Sequence, residues 1–207
     1  SFKFRNSVSY THKKCRVVKY DNSVECFYDF ENEVGRVYGD ELNAVHEKIY
    51  LMILSRVGIL LDRKGIHRIH AMGVRVTDEY NICAIGSSGA GKSSLALRYL
   101  SGDNLLSDDT MLIQNKNLKE FPTRIGLSHK SKQLSSPIEL NRYQFGIKYL
   151  YDLKDHYSTR LAPKTYYILL TKSDEDAVEL ASKLTSFVFL FKYLVIGIDT
   201  AQVFEFF

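Results

Sequence analysis

Tyr80-Asn81-Ile82-Cys83-Ala84-Ile85-Gly86-Ser87-Ser88-Gly89-Ala90-Gly91-Lys92-Ser93-Ser94-Leu95-Ala96-Leu97 carries the strongest structural signal in this chain. Tyr80 to Ile85 is an apolar, β-leaning run, Gly86 to Gly91 is rich in glycine and serine, and Lys92 to Leu100 has helical composition. Residues Gly86 to Ser93 match G-x-x-x-x-G-K-[ST] at every fixed position. Glycines let successive backbone N–H groups turn toward phosphate oxygens, and the following helix N-terminus adds partial positive charge. In such a P-loop Lys92 bridges the outer phosphates and the Ser93 hydroxyl ligates Mg²⁺, and the candidate nucleotide-binding stretch runs one residue past the motif to Ser94. A Gly/Ser loop would match by accident in roughly one chain in a hundred of this length, before the strand and helix contexts are required.

Working outward, Ile66 to Val76 reads as a strand reversing through Thr77-Asp78-Glu79 into Tyr80 to Ile85. Asp40 to Leu61 places Leu42, Val45, Ile49, Met52, Ile53 and Leu60 at helical spacing and ends near Gly65. Phe2 to Phe30 holds short β runs, Cys15 to Tyr20 and Val24 to Phe30, about a turn at Asp21-Asn22. Downstream, Asn104 to Leu106 and Met111 to Gln114 flank Asp108-Asp109, and Tyr166 to Leu170 is a further strand. Ser173 with Asp176 is a capping pattern ahead of a helix through Ala177, Val178, Leu180, Ala181 and Leu184. Residues 115–163 carry all three prolines and no sustained period, so loops with a short helix near Leu140 to Leu153 are expected. No internal repeat or linker is visible, and a single domain is expected, with 1–65 as a β-then-helix lead-in and 66–207 as the nucleotide-binding core.

The chain has 207 residues, 45% hydrophobic, 25% charged and 13% aromatic, which is a globular rather than a disordered composition. A net charge of +4 gives no support to a nucleic-acid-coating surface. Cys15, Cys26 and Cys83 lack CxxC spacing and an even count, so neither a disulfide framework nor a zinc site is signalled. No apolar h-region follows Ser1, and the longest apolar stretch, Phe187 to Ile198, is interrupted by Lys192 and falls short of the ~20 residues of a membrane span. The expectation is a soluble, cytoplasmic protein with no membrane or nucleic-acid partner; the residues leave homo-oligomerisation open.

Asp108-Asp109 follows Gly86 by 22 and 23 residues. An isolated Asp-Asp pair is commonly a turn or strand-edge feature, but beside a phosphate loop it suits a Mg²⁺ or general-base carboxylate. On extended backbone the two side chains point to opposite faces, so a division of labour is expected. His70, 16 residues before Gly86, is by itself as consistent with packing as with chemistry, His67 lying close by. His129-Lys130-Ser131-Lys132 reads as a solvated loop or a phosphate-steering one.

Taken together, Ile69-His70-Ala71-Met72-Gly73-Val74, Ile82 through Leu97, and Leu105-Leu106-Ser107-Asp108-Asp109 resemble the catalytic core of the HPr kinase/phosphorylase-like family, related in fold to phosphoenolpyruvate carboxykinase. The likeness covers Ile66 to Leu112. It implies an α/β domain with α+β character, a mixed β-sheet with flanking helices and a P-loop. It also implies an ATP-dependent kinase that moves the γ-phosphoryl of Mg-ATP to a hydroxyl acceptor, with ATP and Mg²⁺ required. On that resemblance Lys92 and Ser93 bind phosphate and Mg²⁺, Asp109 is the base, Asp108 the supporting, metal-side carboxylate, and His70 stands near the phosphates. The reverse assignment of the two aspartates is nearly as good. Segment Arg160 to Lys164 takes the place of a phosphate-contacting basic loop; the glutamate segment and Arg-Gly-rich loop of HPr kinases proper are not found. A nucleotide-binding regulatory or assembly protein, and a nucleotide hydrolase or phosphorylase, are the alternatives.

Overall fold

The structure, a computed structural model, describes residues 2–4, 7–115, 117–142, 146–173 and 177–194. It is a mixed α and β protein with several sheets and three helices. By backbone contacts the described residues divide into two compact units, those of 2–61 with 139–148, and those of 62–138 with 149–194.

In the first unit, β1 (Phe2–Phe4), β2 (Ser7–His12), β3 (Cys15–Tyr20), β4 (Glu25–Asp29) and β5 (Val34–Tyr38) form an antiparallel meander in chain order. Helix α1 (Leu42–Arg63) covers one face. The stripe it buries is Ala44, Lys48, Met52, Ser55 and Gly58. Of the six residues expected from the spacing, Met52 is buried and Val45 partly so, whereas Leu42, Ile49, Ile53 and Leu60 are exposed. The reason lies in the sheet. Its inner face is filled by Tyr20, Tyr28, Val18 and Cys26, so the side chains meeting it are small or flexible. Two long cations lie over its rings, Lys48 Nζ 4.2 Å from the Tyr20 centroid and Arg56 4.6 Å from that of Tyr28. A Cβ on Gly35 would collide with Met52 Sδ, which measures how closely helix and sheet approach.

The second unit is organised by a four-stranded sheet in the order β15 (Lys164–Leu170), β8 (Tyr80–Gly86), β7 (Ala71–Arg75), β9 (Leu105–Ser107). Strands β15 and β8 run parallel, Lys164 opposite Tyr80 through Leu170 opposite Gly86; the other pairings are antiparallel. The expected strand Ile66 to Val76 is in fact two. Its first part, β6 (Ile66–Ile69), pairs with β10 (Met111–Gln114) in a second sheet that β11 (Asn117–Lys119) completes. Chain segments 66–75 and 105–114 thus cross from one sheet to the other side by side, with His70 and Asp108-Asp109 at the crossover.

Alternation along the strands sends Ala71, Cys83, Ile85 and Leu106 to one face, where Met111, Leu118 and α3 (Lys183–Tyr193) cover them. Met72, Val74, Ala84 and Leu105 face the other side, against α2 (Lys92–Tyr99), β12 (Ile125–Leu127) and Tyr151. Helix α2 packs through Leu95, Ala96 and Leu100; Tyr99, a candidate for that role, is exposed.

Two expected helices differ from what is observed. The described residues of 140–153 hold no helix: β13 (Ile138–Arg142) and β14 (Gly146–Tyr151) lie there, followed by a 3-10 turn at Lys154–His156. Tyr149 and Tyr151, two residues apart, both pack on the core, a period of two that the aromatic content already favours. The C-terminal helix begins at Lys183 rather than Ala177, capped by Ser182, whose side-chain oxygen accepts from Thr185 N at 3.0 Å. Asp176 and the final residues of the Phe187 to Ile198 stretch lie outside the described residues. Among the described residues no helix is long and apolar enough to cross a membrane.

Asn81 locks the parallel pair. It is buried, donates to Ala162 O at 3.0 Å, Lys164 O at 3.2 Å and Thr165 Oγ1 at 3.2 Å, and accepts from Ala162 N at 3.0 Å. Asn81→Ala strands the buried carbonyl and N–H of Ala162 and is expected to lower the unfolding free energy by about 2–3 kcal/mol. Urea titration of both proteins measures this, and a loss within about 0.5 kcal/mol, the range of ordinary surface substitutions, would show that the clamp is not needed.

Candidate functional site

Strand β8 ends at Gly86, and α2 begins at Lys92. The loop between them uses glycine where the backbone demands it: Gly89 has φ +77° and Gly91 φ +98°, both in the region side chains rarely adopt. At Gly86 the demand is space, since a Cβ would stand 2.9 Å from Leu170 O and 3.1 Å from Ala90 Cβ. A turn from Ser87 O to Ala90 N (3.1 Å) shapes the loop, and α2 starts from Gly91, whose carbonyl accepts from Leu95 N at 2.9 Å. Ser88, Gly89, Gly91 and Ser94 are exposed, whereas Ser87, Ala90 and Ser93 are partly covered.

Lys92 does not extend into solvent. Only 6% exposed, it donates to Gly86 O at 2.8 Å and Ser87 O at 3.0 Å, and its Nζ lies 2.9 Å from His70 Nε2. An ammonium has no lone pair to offer, so His70 Nε2 is the acceptor of that contact and the imidazole is the neutral tautomer with its proton on Nδ1. Nδ1 faces Asp109 Oδ1 at 3.4 Å. The backbone holds this in place: Ala71 N donates to Asp109 O at 3.2 Å, and His70 N donates to Tyr193 O at 2.8 Å.

The two aspartates sit in a bend between β9 and β10 rather than on extended strand, yet they diverge. Asp109 is half-exposed beside His70. Asp108 is 2% exposed, and its Oδ2 accepts from Gly126 N at 3.2 Å. The buried Ser107 hydroxyl accepts from Thr110 N at 3.3 Å and closes the bend. Burial, and next to it the Asp108 charge, pushes the Tyr157 phenol well above its ordinary pKa, so Tyr157 stays protonated. Burial alone pushes the Cys83 thiol up to about 12, which leaves it an inert packing residue.

The structure therefore brings Lys92, His70 and Asp109 together, directs Asp108 into the Gly126 backbone, and leaves Ser93 on the first turn of α2. Residues 160–164 fall elsewhere. They lead into the start of β15, opposite Tyr80, a strand length of roughly 20 Å from the Gly86 end. The cation that does reach the loop is Lys172, two residues past the end of β15, and no motif in the sequence marks it. Part of the His129 to Lys132 segment lies against α2: Ser131, Lys132 and Gln133 line a shallow hollow of about 380 Å³ with Ser94, Leu97 and Arg98. Ser131 N donates to Tyr151 Oη at 2.7 Å, and Lys130 lies over the Tyr149 ring. Among the described residues no three His, Cys, Asp or Glu side chains are grouped as a metal site. No family model matches the chain, and no curated protein matches it at a significant level.

Proposed function

We propose that this protein is an ATP-dependent kinase of the HPr kinase-like kind, moving the γ-phosphoryl group of Mg-ATP to a hydroxyl of a protein, peptide or small molecule. In this reading Gly86 to Ser94 is a P-loop in a phosphoenolpyruvate carboxykinase-like domain. The observation that carries it is the meeting of Lys92, His70 and Asp109 at the carboxyl end of the parallel pair β8 and β15, where ligands of such sheets bind.

The chemistry follows from these groups. Phosphate oxygens replace the Gly86 and Ser87 carbonyls as acceptors for Lys92, while the start of α2 adds its positive end. Ser93 would hold a hard cation, which would neutralise charge on the transferring group; Asp108, the metal-side carboxylate of the resemblance, is turned to Gly126 N, and Asp109 is kept for the proton. The acceptor oxygen attacks the γ-phosphorus, its proton passes to the Asp109 carboxylate, and the bond to the β-phosphate oxygen breaks to release ADP. His70 Nδ1–H orients Asp109, and Asp108 fixes the bend that presents it.

ADP release from Mg-ATP is expected to depend on a hydroxyl-bearing acceptor and to be matched by phosphate found on it by mass spectrometry. Release at the same rate without acceptor would make the protein a hydrolase. Tight ATP binding with no consumption under any acceptor would make it a regulatory or assembly protein.

A further inference from the structure

Lys172 stands where the sheet, not the motif, put it. Because Leu170 pairs with Gly86 in parallel register, the chain leaving β15 emerges at the same end as the glycine-rich loop. Lys172 Nζ lies 3.6 Å and its Cε 4.0 Å from the point a Cβ on Gly89 would occupy. The ammonium therefore stands at van der Waals distance from the Gly89 side of the loop. Lys92 holds the same loop from within, buried on the Gly86 and Ser87 carbonyls, while Lys172 is exposed and approaches from solvent. Lys92, Lys172 and the N-terminus of α2 thus set positive charge around one short loop.

We propose that Lys172 is a second phosphate-binding cation of this site, engaging the polyphosphate chain of the nucleotide from the solvent side. The proposal rests on the nucleotide-binding reading above and adds a residue to it. Lys172 neutralises phosphate charge that Lys92 does not reach, and it does so without touching the nucleoside. Its ligand is thus any polyphosphate, with adenosine making no use of it. An added side chain at Gly89 would meet a strained backbone, φ being +77°, with the ammonium at ordinary contact distance.

Titration calorimetry with MgATP, inorganic pyrophosphate with Mg²⁺, and adenosine tests this on wild type, Lys172→Ala, Lys172→Arg and Lys92→Ala. Lys172→Ala is expected to weaken MgATP and pyrophosphate about five- to tenfold, to leave adenosine unchanged, and to flatten the salt dependence of ATP binding. Lys172→Arg restores most of the affinity, since the charge is kept. Equal affinities in wild type and Lys172→Ala, with Lys92→Ala still defective, would overturn the role of Lys172 and leave the nucleotide reading standing. A lowered thermal midpoint, or equal losses for adenosine and ATP, would make Lys172 a support of the loop's shape and overturn the proposal too. Wild-type protein that binds neither ATP nor pyrophosphate would remove both readings together.

Discussion

Lys92→Ala is expected to abolish measurable MgATP binding at concentrations that saturate the wild type. In the folded chain the ammonium is already desolvated and aimed by Gly86 O, Ser87 O and His70 Nε2, so little ordering remains to be done when phosphate arrives. Removing it costs roughly 3 kcal/mol, the upper end for a hydrogen bond to a charged group, and so about a hundredfold in Kd. Lys92→Met keeps the aliphatic stem packed in its buried place and isolates the charge from the packing. Calorimetry on both variants, with circular dichroism to verify folding, checks the expectation. Undiminished ATP binding in the two variants would show that the glycine-rich loop is not the nucleotide site.

Asp109→Asn is expected to bind MgATP within about threefold of wild type while phosphoryl transfer falls by about 10²–10⁴, the range a positioned general base supplies. Asp109 is half-exposed and contacts His70 through Oδ1, so the amide fits without disturbing the core. Asp108→Asn is expected to behave differently. Its buried oxygen accepts from Gly126 N, a bond an amide oxygen retains, so transfer persists, with at most a modest loss of stability where the second oxygen becomes an NH2 group. Single-turnover transfer rates, measured beside ATP affinities, separate the two. Equal transfer in wild type and Asp109→Asn would remove the base from the mechanism, and a collapse confined to Asp108→Asn would exchange the two roles.

Local chemistry explains which parts of this protein were legible without coordinates. The run Tyr80 to Gly86, the loop, and the helix from Lys92 are each specified by neighbours in sequence: alternation, glycine at positive φ, and a helix following a left-handed residue. Met111 to Gln114 and Tyr166 to Leu170 were equally readable as apolar β runs. Helix α1 was readable as a helix but not in its orientation. Spacing puts Leu42, Ile49, Ile53 and Leu60 on one stripe, yet the aromatic inner face of the sheet takes Ala44, Lys48 and Met52. Strands β13 and β14 were hidden because a short, mixed segment satisfies helical and extended periods about equally until a partner strand supplies hydrogen bonds.

For the candidate site the division is sharper. The sequence by itself named Lys92 and Asp108-Asp109 by residue type and spacing suited to phosphate chemistry, while His70 was singled out only by the resemblance. Only the tertiary structure decided that the strand holding His70 breaks in two, so that this residue falls at the crossover between sheets beside Asp109. It also decided that Asp108 turns inward to Gly126, and that Lys172, 80 residues beyond Lys92, stands over Gly89 while Arg160 to Lys164 lies at the opposite end of β15. A motif records what adjacent residues do to their own backbone. Parallel register between β8 and β15 is a pairing across distant sequence, anchored at its start by Asn81, and that is what delivers a remote lysine to the loop.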